Sequence, residues 1–188
     1  MTSKSDIGYK NTHFEYPELS RIHREPTTAN LITLQREIRA NAITVHTTLG
    51  GGHQGHLGLV CTAATYATIL NTQPYVRPNA PGQLALEQGL TQFQIAQARE
   101  LHSENTRLFR EVLAVERTII QQIVGALDAK YLKALRDSVT KKITRSIPEI
   151  LQHLFHAYGH VTPTELYELK QKVETMQFSP TEPVDTLI

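Results

Sequence analysis

The sequence predicts an all-α protein: a helical bundle, preceded by a poorly regular N-terminal arm and a Gly/Pro-rich loop region. Three observations predict it. Apolar residues recur at helical spacing through most of residues 91–158. Helix-start signals stand ahead of two such runs. Ser146-Ile147-Pro148-Glu149 and Thr162-Pro163-Thr164-Glu165 both have the form in which a hydroxyl and a carboxylate cap each other's backbone N–H, with proline in the first turn. Beyond residue 90 there are no alternating strand patterns.

Residues 1–28 show no clear period and read as an arm. Residues 29–90 read as short helices joined by loops. Asn30 is placed to cap a helix whose Leu31, Leu34, Ile38 and Ala42 share one face. Residues 43–49 are rich in β-branched side chains and suit an extended chain. Residues 50–58, Gly-Gly-Gly-His-Gln-Gly-His-Leu-Gly, form a loop on backbone grounds. Thr62 suits the cap of a short helix through Tyr66 and Ile69. Residues 71–89 hold Pro74, Pro78, Pro81, Gly82 and Gly89 and must connect; a connection of that length is expected to be functional or mobile.

Residues 91–188 form a helical domain. Thr91 begins its longest pattern, which runs to about Leu127. Leu108, Phe109, Val112, Leu113, Val115, Ile119, Ile120, Ile123 and Leu127 make the apolar face. Arg107, Arg110, Glu111, Thr118 and Gln121 are assigned to the other. The wide arc implies more than one packing neighbour. Glu116 falls inside that arc, so it needs an arginine or backbone donors, or it lies at a wet interface. Asp128 caps a following helix with Tyr131, Leu132, Leu135 and Val139 inward. Ser146 opens another with Ile150, Leu151, Leu154, Phe155 and Tyr158 at helical spacing. Gly159 suits a left-handed stop. The last complete helix uses Leu166, Leu169, Val173 and Met176. Residues 183–188 read as the entry to a further helix, so the chain is expected to be cut within a domain.

The 188 residues allow one domain, or one domain plus an arm. A formal net charge of +1 gives no global field for nucleic acid. Its distribution is uneven: ten Lys/Arg face six Asp/Glu between Arg99 and Arg145, and two face six from Ser146 on. Cys61 is the sole cysteine, which excludes an intrachain disulfide and a cysteine-based zinc knuckle. Residues 1–10 lack the apolar run of a secretory signal, and no stretch reaches the roughly 20 apolar residues that span a bilayer. A cytoplasmic location is the expectation.

Few constellations suggest chemistry. Gly50, Gly52 and Gly55 match G-x-G-x-x-G, but a dinucleotide site needs that pattern between a strand and a helix. A phosphate loop would need a lysine that is absent. His46, His53 and His56 flank the same loop without a second pair of metal ligands. His153 and His156 share a helix face, with His160 beyond the glycine, and suit the negative end of a helix dipole. No serine, cysteine or lysine sits in a nucleophile motif. No catalytic, cofactor or metal residue is therefore assigned. Lys130, Lys133, Arg136, Lys141, Lys142 and Arg145 are candidates for nucleic-acid contact, against the alternative of a solvated helix face.

Several segments in order resemble one family. They are residues 49–60 around the glycine loop, Pro74-Tyr75-Val76-Arg77-Pro78 followed by Pro81-Gly82, residues 108–112 and 119–124, Tyr158-Gly159-His160-Val161-Thr162-Pro163, Met176-Gln177-Phe178-Ser179-Pro180 and residues 183–186. Together they resemble Gag-like polyproteins of Copia-type LTR retrotransposons, from about Ile32 onward. The resemblance implies a non-enzymatic, helical capsid-like protein that forms homo-oligomeric particles around the element's RNA. It implies no cofactor, small-molecule substrate or membrane. In the family a zinc knuckle usually follows the capsid region. Its absence here leads to the expectation of an N-terminal fragment or a degenerate copy. Leu166, Leu169, Val173 and Met176 are then candidates for an assembly surface left open by missing helices. The competing expectations are a nucleic-acid-binding module using the basic middle helices, and a metal-binding enzyme centred on the Gly/His loop.

Overall fold

The longest helix dominates the architecture. The computed structural model describes residues 14–69 and 73–159, together with Leu166, Tyr167, Lys170 and Gln171. Within these lie α1 (Thr28–Thr44), α2 (Ala63–Ile69), α3 (Gln92–Ala126) and α4 (Ile147–Tyr158). Three 3-10 turns, Leu49–Gly51, Leu57–Leu59 and Ala129–Leu135, join them. Among the described residues β-pairing is limited to isolated bridges, so the all-α expectation holds. None of the described helices is long and apolar enough to cross a membrane.

α3 starts where the sequence places it. Gln94 donates its N–H to the Thr91 hydroxyl, and its side-chain oxygen accepts the Thr91 N–H at 2.9 Å. Its 35 residues make a rod of about 52 Å. The rod is used unevenly. Its buried positions are Glu111, Val112, Val115, Glu116, Thr118, Ile119, Gln122, Ile123 and Ala126, all in the second half. From Gln92 to Arg110 no residue is buried.

α1 lays Leu31, Leu34, Ile38 and Ala42 into the core, as their spacing predicts. Its cap is Thr27, not Asn30: Asn30 is the third helical residue, and its side chain reaches back to Thr27. The helix also runs through Thr44, past the point where the β-branched run was expected to turn extended. α1 packs on α3, α4 and the Leu57–Leu59 turn, and α4 also packs on α3. α4 contributes Ile147, Ile150, Leu151 and Leu154. Ser146 donates from both N and Oγ to Glu149 at 2.8 Å, so the predicted reciprocal cap at its start is present.

Three local expectations need correction. The N-terminal segment is docked from Phe14 onward: Phe14, Leu19 and Ile22 are buried in the common core. Its backbone is held by three buried polar side chains. Asn41 accepts the Tyr16 N–H at 2.7 Å and donates to the Tyr16 carbonyl. Gln122 donates to the carbonyls of Tyr16 and Pro17, and Glu37 accepts from the N–H and hydroxyl of Ser20. A sequence period cannot register such docking, because the anchors sit on helices far along the chain. The expected helix after Asp128 is only a 3-10 turn. Tyr131, Leu132 and Leu135 do point inward, but Val139 is 85% exposed. The Asp137 carboxylate takes the N–H groups of Val139 and Thr140 and turns the chain, and Lys141 follows at φ 58°. Gly159 ends α4 at φ −78°, not in the left-handed region. A Cβ there would lie 2.4 Å from the Phe155 carbonyl oxygen that its N–H contacts, so close approach explains the glycine.

The Thr162–Glu165 cap, the helix positions Leu169, Val173 and Met176, and residues 183–188 lie outside the described residues. Leu166 and Tyr167 are helical and more than 60% exposed.

Candidate functional site

The glycine loop and the proline-rich connection, which look unrelated in sequence, meet on α3. The loop folds back over the end of α1, where unpaired carbonyls need donors. His56 gives its N–H to the Ala42 carbonyl at 2.8 Å. Gly55 sits at φ +48° with the carbonyl oxygens of Ala42, Ile43 and Val45 all within 2.7 Å of where a Cβ would stand. Only glycine fits there. This turn drives the His56 side chain inward, to complete burial.

Both ring nitrogens of His56 are engaged. Nε2 is 3.1 Å from Glu111 Oε1 on α3, and Nδ1 is 2.8 Å from the Tyr75 hydroxyl. One neutral tautomer satisfies both contacts: Nε2–H donates to the carboxylate, and the tyrosine O–H donates to Nδ1. Burial lowers the His56 pKa, and the neighbouring Glu111 charge works against that shift. Burial also raises the Tyr75 pKa, with the Glu111 charge adding to it, so the phenol keeps its proton.

The network continues outward. Arg107 donates to Glu111 Oε2 at 2.6 Å and clasps Glu104 with Nε and Nη2, both at 2.8 Å. The hydrogen bonds to Glu104 raise the Arg107 pKa further. The series Tyr75–His56–Glu111–Arg107–Glu104 thus links a half-buried tyrosine, through a fully buried imidazole, to solvent. Tyr66 packs edge-on against Tyr75, its hydroxyl 3.3 Å from the Gly50 carbonyl. Gly58 lies under Tyr75, where a Cβ would come within 2.2 Å of the ring.

Two residues after Tyr75 the connection is fastened again. Arg77 Nη1 and Nη2 donate to the two oxygens of Glu116 at 2.8 and 2.5 Å. Glu116 is therefore in the monomer and paired with arginine, as one of its two expectations required. Between residues 73 and 83 only Tyr75, Pro78 and Pro81 are half-buried, the period of three of a polyproline-type chain. The 14 steps from Arg77 to Thr91 must match the 24 helical steps from Glu116 back to Gln92, about 36 Å at 1.5 Å each. A polyproline rise would cover about 43 Å, and the turn at Gln88–Gly89 takes up part of it, so this connection can run back along α3 to Thr91 as a strap with little slack.

The arrangement can hold a strap, and its groups are spent on doing so. His56 offers no free nitrogen, and Glu111 sits between two donors. Glu111 was assigned to the solvent face of the long helix, as was Thr118; both are buried. His46 and His53 stay exposed while His56 is buried. Among the described residues no group of three or more His, Cys, Asp or Glu is placed to hold a metal. His153 and His156 line an open groove with Arg145 and Glu149, and His160 lies outside the described residues. Of the basic candidates, Lys130, Lys133, Lys141, Lys142 and Arg145 are exposed and Arg136 is half-buried. They do not form one helix face: they follow a 3-10 turn and the reversal after it, where Arg136 donates to the Lys141 carbonyl. The sequence singles out Glu116 but not its partner Arg77, nor the Tyr75–His56–Glu111 series beside it. No protein-family model, curated protein or solved structure matches the chain.

Proposed function

We propose that this chain is a non-enzymatic, Gag-like capsid protein that assembles with copies of itself around element RNA in the cytoplasm. One observation carries the reading: α3 continues for 19 residues, Gln92 to Arg110, without burying any of them. A helix of that length is marginal in water without a packed face. From Val112 the core stripe continues into this half through Leu108 and Leu101 at helical spacing. Phe93 is 76% exposed and Leu101 62% exposed. The free half is the surface on which a second copy fits. The strap supports this use, since it holds the helix start at a set distance from the core. The buried polar network supports it as well, because its groups serve as fasteners and not as reactants. The exposed Lys130, Lys133, Lys141, Lys142 and Arg145 supply charge for RNA phosphates in this reading.

Sedimentation velocity over a concentration series tests it. The chain is expected to associate with rising concentration. The Phe93→Glu/Leu101→Glu double variant should stay monomeric with an unchanged melting temperature, because neither side chain is in the core. A wild-type monomer at high concentration, or equal association of the variant, overturns the assembly reading. RNA affinity that falls linearly with the logarithm of salt supports the charge assignment, and a flat dependence refutes it.

A further inference from the structure

His56 sits where the strap closes on the core, and a second proton on its ring conflicts with that closure. The ring is fully buried, and among the described residues its Nδ1 is the only hydrogen-bond partner of the Tyr75 hydroxyl. The two rings meet edge-on at 6.2 Å. The titratable and charged groups that face them come from three elements. Glu111 stands on α3 with Arg107 behind it, Tyr75 on the strap, and Tyr66 packs on Tyr75 from α2. The charges of Arg77 and Glu116 also reach Tyr75. From α1 the Ala42 carbonyl accepts the His56 backbone N–H.

A second proton changes the two ring contacts in opposite ways. On the Glu111 side the imidazolium gains, because a cation then donates to the carboxylate. On the Tyr75 side it loses. Nδ1 becomes a donor, the phenol must turn to accept, and its own hydrogen is left without an acceptor. The closed strap also denies the charged ring the water that an open strap would admit. With the strap lifted, Nδ1 meets water while Glu111 remains, and neither cost applies. The lowered His56 pKa has burial as its largest cause, with the Glu111 charge opposing it, in keeping with this balance. We propose that His56 and Tyr75 form a proton-operated latch: acidification through the range of an ordinary histidine lifts the strap from the core at Tyr75 while the helices stay folded. The sign follows from proton uptake. Above pH 6.5 the ring is neutral whether the strap is open or closed, and the ratio of the two states is flat. Below 6.5 the open state takes a proton that the closed state refuses, so the open-to-closed ratio rises about tenfold per pH unit until the lowered closed-state value is reached.

The ring-nitrogen spectrum of His56 in the full chain gives both tautomer and titration. Wild type is expected to show the Nε2–H tautomer when neutral and to titrate below 6.5. Tyr75→Ala, which opens Nδ1 to water, should titrate at or above 6.5. Linkage sets the second readout, cleavage by papain between Val76 and Arg77. That protease takes an apolar or aromatic side chain one residue before the one it cuts after, so this cut needs the Tyr75 ring free. Its rate, relative to a free peptide of residues 73–80 in the same tube, follows the open population when reclosing is fast. It should rise on acidification by up to the factor that separates the two titrations. In His56→Gln, whose amide does not titrate, it should not change with pH. Equal titration in wild type and Tyr75→Ala, an Nδ1–H tautomer, or the same cleavage profile in wild type and His56→Gln overturns the latch. Helical circular dichroism must hold over the same range; its loss in step with cleavage would mean unfolding instead. If Tyr75→Ala does not fold, Arg77→Ala, which loosens the strap without touching His56, takes its place in the titration.

Discussion

The Arg77–Glu116 pair makes an asymmetric prediction, because its two members stand in different surroundings. The Glu116 side chain is 11% exposed, and that of Arg77 is 46% exposed. Glu116→Ala frees an arginine that can turn into water. It forfeits two charge-assisted bonds but also removes a desolvated carboxylate, for a net loss of about 1 kcal/mol. Arg77→Ala leaves that carboxylate on the apolar stripe of Val112, Val115 and Ile119 with no donor. Breaking a fully buried pair costs about 3–5 kcal/mol, and the half-exposed arginine brings this down to about 2 kcal/mol. For a chain of this size each kcal/mol moves the melting temperature by about 2–4 °C. Arg77→Ala should therefore melt about 2–4 °C below Glu116→Ala. The Arg77→Leu/Glu116→Leu double variant should recover most of the loss, since it strands no charge. Melting by circular dichroism on these three variants suffices. Equal losses for the two alanine variants, or a double variant worse than Arg77→Ala, would refute the argument that Glu116 is a desolvated charge held by the strap.

Two further predictions concern the same fastening. Gly58→Ala should lower stability by about 1–3 kcal/mol through overpacking on the Tyr75 ring, and should speed proteolysis within residues 78–90; an unchanged cleavage rate would mean that the ring does not hold the strap. The second is a pH effect. His56 has a folded-state pKa below its ordinary value of 6.5, so at pH above 6.5 it is neutral in both states and adds no slope. As pH falls below 6.5 the unfolded chain takes up a proton that the folded chain refuses, and stability drops until the lowered folded-state pKa is reached. Urea melts of wild type and His56→Gln across that window should show the slope in the first and a flatter profile in the second. Parallel profiles would refute a buried neutral imidazole.

How far the sequence could be read depended on distance along the chain. α1, α3 and α4 were legible because their evidence is local: a period of 3.6 residues and a cap within four positions, as at Thr91–Gln94 and Ser146–Glu149. The helix after Asp128 was not legible, because Asp137 offers its own carboxylate to the backbone, and this competes with a helix at the same range. The docking of residues 14–22 left no local trace, since its anchors Glu37, Asn41 and Gln122 look like ordinary polar residues of amphipathic helices. Glu116 was half legible. Its place in an apolar arc announced a partner, but that partner is 39 residues away on a segment whose composition says only that it is not a helix.

Glu111 shows why the remaining half was hidden. It lies five residues before Glu116 on the same helix, on the opposite edge of the apolar stripe, where a carboxylate looks solvated. Its burial comes with the glycine loop and the strap: His56 meets its carboxylate, and Tyr75 closes on His56. The polar edge of a helix becomes interior only when another segment covers it, and the covering segment here has no period of its own beyond the half-burial of Tyr75, Pro78 and Pro81. The two acids on opposite edges therefore have one physical explanation: the strap has two fasteners, Glu116 holding Arg77 directly and Glu111 holding Tyr75 through His56. Tyr75 and Arg77 are two residues apart in an extended chain, which places the two fasteners less than about 7 Å apart along the strap. Arg77→Ala should accordingly loosen Tyr75 as well, and the amide exchange of residues 75–81 should rise together in that variant. Fast exchange confined to Arg77 and its immediate neighbours would show that the two fasteners act separately.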